Sequence, residues 1–146
     1  MWNELIDEAG IKTFMTTVNF FHDSCIKEIK YLSGAYVDNE LAMYPINETR
    51  SLNVIIQRQD EDFPMIEMKF EGLKYLKMYP LSENFTCEIL NAVMYMVDGA
   101  IYWCDSDELS VDNIELYEGT LICAKKCFWR IIENCMGQDT FYPAIK

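Results

Sequence analysis

The sequence predicts an α+β domain in which an N-terminal helical segment packs on a mainly antiparallel, twisted or partly rolled sheet of six or seven strands. Three observations lead to this expectation. Apolar residues recur at helical spacing between residues 2 and 18. Residues 51–71 show the two-residue apolar and polar alternation of half-buried strands. Asp98-Gly99 stands between two apolar runs, which is the strongest short signal for a β-hairpin.

Length and composition are those of a single folded domain over residues 1–146. The chain is 51% hydrophobic and 25% charged, so it carries enough apolar surface to build one core and is not intrinsically disordered. No repeat, low-complexity tract or linker divides it.

The chain opens with the helical pattern of residues 2–18, which Gly10 should divide into two short helices because glycine disfavours helix interiors. The helix should end just before Phe20. Residues 26–37 then favour a strand that bends or bulges near Gly34.

The pattern in the middle of the chain predicts a hairpin that follows a connecting loop. Residues 51–59 and 65–71 alternate as paired strands joined by an acidic turn, and Gly72 should interrupt the pattern before another short extended run at 73–79. Before this hairpin, residues 38–50 resemble a connecting loop whose apolar side chains could pin it to the body of the protein: Leu41, Met43, Tyr44 and Ile46.

The last third contains the Asp-Gly hairpin and one ambiguous element. Residues 105–118 are acidic and poorly periodic, which indicates a solvated loop or a short helix. Residues 120–132 fit either a helix or a strand. We favour a strand, because its β-branched and aromatic content matches the preceding hairpin, and we expect it to protect an edge of the sheet.

The charge balance bears on partners. Twelve Lys and Arg face twenty-four Asp and Glu, a net charge of −12. Nucleic acid and anionic membranes should therefore be repelled, whereas a basic protein should be attracted. Surplus carboxylates that only keep an apolar-rich domain in solution are the alternative. The longest apolar stretch, residues 92–97, is far shorter than the roughly 20 residues of a membrane span.

The six cysteines are expected to be reduced core thiols in a cytoplasmic protein, because the N-terminus shows no export signal. One histidine and no C-x-x-C pattern disfavour a zinc site. The six glycines never cluster, so the sequence contains no phosphate-binding loop. No cofactor is expected.

His22, the only histidine, adjoins Asp23 and Ser24. Neighbouring residues in an extended segment point to opposite faces, so these three form a poor catalytic relay. A structural role for His22 and Asp23 where helix meets strand is favoured. The alternative is that His22 acts as an acid-base or ligand residue at the mouth of a concave sheet, with Asp23 and other nearby carboxylates as further binding residues.

Two acidic segments are the candidate partner-binding residues. The second begins like a calcium loop but lacks the glycine and the later ligands of that motif. The candidate residues of the two segments are Asp60, Glu61, Asp62, Asp105, Asp107, Glu108 and Asp112.

The segment Phe21-His22-Asp23-Ser24, followed by Ile26, Ile29 and a strand, resembles the opening of small bacterial β-rich proteins, some of which look like immunity proteins of toxin systems. The resemblance covers about a dozen residues. It implies a non-enzymatic protein that binds and blocks a cognate toxin, and it carries over no catalytic residue. The alternative is a small-molecule binding protein or enzyme with a pocket near His22.

Overall fold

The computed structural model describes residues 1–142 and contains one α-helix with a large curled sheet, which confirms the α+β class. The helix is α1 (Glu8–Thr17). The strands are β1 (Asn3–Leu5), β2 (Ser24–Leu32), β3 (Tyr36–Val37), β4 (Met43–Tyr44), β5 (Ser51–Arg58), β6 (Met65–Lys77), β7 (Glu88–Ile89), β8 (Val93–Val97), β9 (Ala100–Cys104) and β10 (Leu121–Ile131).

The main sheet follows the order β7-β2-β5-β6-β10-β9-β8, and every neighbouring pair is antiparallel. β1 adds to β10 next to the end of β9. The two edge strands, β7 and β8, are joined by residues 90–92 alone. So short a link can connect opposite edges only because the sheet rolls until they approach each other, as expected from strand twist.

The N-terminus differs from its prediction. Residues 3–5 form a strand, and a single helix then passes through Gly10. The Asp7 side chain caps this helix by accepting a hydrogen bond from the Gly10 N–H at 2.7 Å. Gly10 therefore lies in the capped first turn, where glycine costs less than in a helix interior. No helix within residues 1–142 has the length and apolar content needed to cross a membrane.

β6 is one strand of thirteen residues, so the predicted interruption at Gly72 is wrong. The glycine has φ +62°, and the strand bulges just after it: Leu73 pairs with Ala124, whereas Tyr75 pairs with Cys123. A bulge lets a long strand bend while keeping its partner, so the glycine curves the sheet without ending the strand.

The Asp98-Gly99 hairpin is confirmed. Both residues have positive φ, +50° and +74°, as in a type I′ turn. The strand assignment of residues 120–132 is also confirmed by β10, but its expected position is wrong: β10 lies between β6 and β9 in the middle of the sheet. The acidic segment after β9 forms a loop with a short 3₁₀ turn (Val111–Leu116), within the predicted alternatives.

The core fills the inner face of the rolled sheet under α1. Phe21 packs edge-to-face on Phe14 of the helix and on Trp103 of β9, with ring centroids 5.7 Å and 6.0 Å apart. A second apolar cluster lies outside β5 and β6, where Phe141 and Tyr142 pack near Ile55. Residues 141–142 thus cover part of the outer face.

The cysteines differ in accessibility, although all six are free thiols. Cys104, Cys123 and Cys127 are buried as expected, whereas Cys87 is exposed. Burial raises the pKa of Cys104 to about 11 and also raises that of Cys127.

We expect iodoacetamide at about pH 8 to alkylate Cys87 rapidly in the native protein and the three buried thiols only after unfolding, since a thiolate is the reactive form. Mass spectrometry of peptides from timed samples measures both rates. Equal rates at Cys87 and Cys127 would contradict this burial pattern.

Candidate functional site

His22 lies where the two edges of the rolled sheet meet. Its Nδ1 is 2.5 Å from the Leu90 carbonyl oxygen, and the Ala92 N–H donates to the Phe20 carbonyl at 2.7 Å. A carbonyl oxygen only accepts, so His22 Nδ1 carries the proton in this contact. Both hydrogen bonds tie the segment after α1 to the link between β7 and β8, which gives His22 a structural role.

The backbone before His22 is in an uncommon conformation. Asn19, Phe20 and Phe21 have φ of +48°, +52° and +54°, values that side-chain-bearing residues adopt rarely. This left-handed turn reverses the chain after α1 and places Phe21 in the core while Phe20 faces out.

Asp23 and Ser24 do not form a relay with His22. His22 Nε2 is 3.5 Å from Asp23 Oδ2, and both side chains are about half exposed. The Ser24 hydroxyl donates to the His22 carbonyl and does not contact the ring. This arrangement fixes a turn and activates no nucleophile.

The first acidic segment is held by a buried arginine. Arg58 donates to the carbonyls of Asp62 and Phe63 at 2.8 Å and to Asp60 Oδ2 at 2.9 Å. Asp60 is thereby occupied, and Glu61 and Asp62 are exposed. The Gln59 N–H donates to the Asp23 carbonyl at 3.0 Å, so this loop lies beside His22 and Asp23.

The second acidic segment is anchored at its ends. Asp105 accepts a hydrogen bond from the Tyr117 hydroxyl, and burial together with this bond raises the pKa of Tyr117. Asp107, Glu108 and Asp112 are exposed.

The structure does not bring the two acidic segments together. The first precedes Met65 at the start of β6, whereas the second precedes β10, whose Leu121 pairs with Lys77 at the end of β6. At about 3.3 Å per residue, most of the length of a thirteen-residue strand separates them. They are two small acidic surfaces and not one. Within residues 1–142, no three His, Cys, Asp or Glu side chains cluster as metal ligands would.

The largest unexplained feature is the segment 31–46, which we call the arm. β3 and β4 form a separate two-stranded sheet, and Tyr36 stacks on Tyr44 with centroids 4.8 Å apart. The sequence predicts a strand through residues 26–37, but β2 ends at Leu32 and Gly34 lies between β2 and β3. It also predicts residues 38–50 as a loop that apolar side chains could pin to the body, but those side chains face solvent. Eight large hydrophobic side chains of the arm are exposed: Tyr31, Leu32, Tyr36, Val37, Leu41, Met43, Tyr44 and Ile46.

The tip of the arm is a hydrogen-bonded turn. Asp38 Oδ1 accepts from the N–H groups of Glu40 and Ala42, both at 2.9 Å, and the Asp38 N–H donates to the Ala42 carbonyl. Leu41, at φ +67°, is 84% exposed at this turn. The turn therefore holds an apolar side chain out in a fixed position.

The base of the arm is equally fixed. The Asn47 side-chain amide donates to the Ser33 carbonyl at 3.0 Å, and Asn47 Oδ1 accepts from the Thr49 N–H at 2.8 Å. Gly34 has φ +74°, and a Cβ there would lie 2.3 Å from Asn47 Oδ1. Glycine is required because the side chains of Asn47 and Thr49 leave no room for a Cβ and because the backbone has positive φ. The pattern could have been found from Gly34 and the Asp38-Asn39 turn signal between two apolar pairs.

Comparisons of this chain with protein-family models, curated proteins and solved structures find no match.

Proposed function

We propose that this protein is a non-enzymatic binding module that inserts the arm into an apolar cleft of another protein. The observation that carries the proposal is the set of eight exposed hydrophobic side chains on the arm, five of which lie on its hydrogen-bonded β3–β4 hairpin. Exposed apolar surface concentrated on one segment is typical of interaction sites in proteins. Burial of such side chains contributes roughly 25 cal/mol per Å².

The rigidity of the arm favours binding. A loop that is ordered before it binds loses less conformational entropy on association. The turn at Asp38 and the hydrogen bonds of Asn47 beside Gly34 supply this order. Tyrosine is moreover a frequent hot-spot residue, because it has a large contact area and few rotatable bonds.

The charge of the arm indicates the partner's chemistry. The arm, residues 31–46, contains Asp38 and Glu40 but no lysine or arginine. The net charge of −12 makes association with a second copy electrostatically unfavourable. We therefore propose a partner whose apolar cleft has a basic rim.

A basic enzyme whose cleft receives the arm would be inhibited by simple obstruction. This agrees with the resemblance of residues 21–24 to immunity-type proteins, and the proposed partner is a toxin enzyme of that kind. The alternative pocket near His22 has less support, because the adjacent cavity of about 440 Å³ is lined by Asp23, Arg58 and Glu88 and not by the His22 ring.

The test compares three immobilised forms of the full chain in native lysate. The arm variant carries Leu41→Ser, Met43→Thr and Ile46→Ser. The matched control carries Ile6→Ser, Leu81→Ser and Leu116→Ser, which remove equally exposed hydrophobic side chains outside the arm. We expect the wild type and the control to retain one basic protein that the arm variant loses.

Titration calorimetry with that purified partner should then show at least tenfold weaker binding by the arm variant. Asp38→Asn, which keeps one acceptor at the turn, should weaken binding mainly at low salt. Equal retention by all three forms, or no partner retained by the wild type, would overturn the proposal.

A further inference from the structure

A second surface lies between α1 and β8, on the opposite flank of the sheet order from the arm-bearing β2. The groove there has a volume of about 610 Å³. Its lining is mainly apolar and includes Ile11, Met15, Phe20, Met94, Met96 and Val111.

The backbone of β8 defines what could enter the groove. Val97 pairs with Ala100 across the two-residue turn, so these two exchange hydrogen bonds, and the alternation continues at Tyr95 with Tyr102. The N–H and C=O groups of Met94 and Met96 consequently point away from β9. The Ala92 N–H, next in this alternation, does donate outward, to the Phe20 carbonyl.

Among residues 1–142, β8 has β9 as its only strand partner, and no hydrogen bond is made to the outward groups of Met94 and Met96. Backbone groups at this spacing match the donors and acceptors of an extended chain. A small apolar molecule would fill the groove but leave them unpaired.

The other wall of the groove is α1. α1 runs beside β8, with Glu8, Ile11, Lys12 and Met15 facing the space. A peptide residue opposite Met94 or Met96 would place its side chain on the same face as those methionines, beside α1. Such residues should be apolar, while alternate residues face solvent, where the net negative charge favours lysine or arginine.

We propose that the groove binds an extended peptide of alternating apolar and basic residues, which adds as a strand to β8. The site covers about five residues, the length of β8. It is separate from the arm and does not depend on the arm's partner.

The probe is a fluorescein-labelled hexapeptide of alternating valine and lysine, followed by fluorescence anisotropy with the full-length protein. Its control has N-methylated valines, which keep charge and side chains but lose the donors that would face β8. We expect the parent peptide to bind at least tenfold more tightly. Bound peptide should also slow amide exchange at Met94 and Met96, measured by NMR.

Two variants locate the site. Val111→Arg and Phe20→Ala change exposed lining residues and should weaken binding of the parent peptide severalfold. The arm variant should bind it as the wild type does, so failure here and failure of the proposed function are distinguishable. Equal binding of both peptides, or no binding at about 1 mM, would overturn the proposal. So would displacement of the labelled peptide by decanoate if the amides of Met94 and Met96 are not protected from exchange when the peptide is bound.

Discussion

Replacing Phe21 with alanine should lower the free energy of unfolding by about 4 kcal/mol. Phe21 is fully buried and packs edge-to-face on Phe14 and Trp103, so it joins α1 to the inner face of the sheet. Its loss opens a cavity at this junction and removes both aromatic contacts. Domains of this size have a total stability of about 5–15 kcal/mol, so the loss is a large fraction of the total.

Phe20→Ala is the matched control. Phe20 has almost the same left-handed backbone as its neighbour, φ +52° against +54°, but its side chain is 44% exposed. Backbone strain is therefore common to both variants, and only burial differs. We expect the control to change stability by less than about 1 kcal/mol.

Urea unfolding followed by tryptophan fluorescence measures both variants. If Phe21→Ala proves no more destabilising than Phe20→Ala, the conclusion that Phe21 joins α1 to the sheet is wrong.

Replacing Arg130 with methionine should destabilise the protein by about 3 kcal/mol, because it leaves a buried carboxylate without its counter-charge. Glu67 is 2% exposed on the outer face of β6, and its Oε2 is 2.6 Å from the Arg130 guanidinium. Asn53 and the Tyr142 hydroxyl donate to the other oxygen, at 3.0 Å and 2.6 Å. These two neutral donors remain in the variant but cannot replace the positive charge.

Two further variants separate charge from packing. Arg130→Met with Glu67→Gln removes both charges and should recover most of the loss, since a neutral amide is less costly to bury. Lys125 lies on β10, as Arg130 does, but its ion pair with Glu48 is exposed. Lys125→Met should therefore have little effect on stability. Chemical denaturation of all three variants tests this. A double variant as unstable as Arg130→Met alone would show that lost packing against Trp2, 4.5 Å from the guanidinium, matters more than the charge.

Local patterns in the sequence were sufficient for most of the strands. Asp98-Gly99 specified its hairpin because two adjacent residues that tolerate positive φ leave few other conformations. The alternation through residues 51–71 specified the β5–β6 pair, since one face of these strands is buried. In both cases the decisive interactions are close in sequence.

Features that depend on distant residues were not predictable. The strand at residues 3–5 is too short to show an alternation of apolar and polar residues. It forms because it pairs with β10. β6 continues past Gly72 because β10 pairs with it on both sides of this glycine. The central position of β10 itself depends on strand order, which no local pattern encodes.

The candidate site was missed for a similar reason. Leu41, Met43 and Ile46 have the composition of residues that pin a loop to a core, and composition does not reveal that they face solvent. The acidic segments were visible as charge, but their separation along β6 depends on which strand ends meet.

The position of β10 also has a consequence for biosynthesis. Translation proceeds from the N-terminus, and β1, β6 and β9 all pair with β10, residues 121–131. Their pairing with β10 can therefore form only after residues 121–131 have been synthesised. Until then the nascent chain exposes the open edge of the β5–β6 hairpin together with the hydrophobic arm, a combination prone to mispairing between chains. Completion of the sheet is therefore a late step dominated by contacts between residues far apart in sequence, the class of topology that folds slowly.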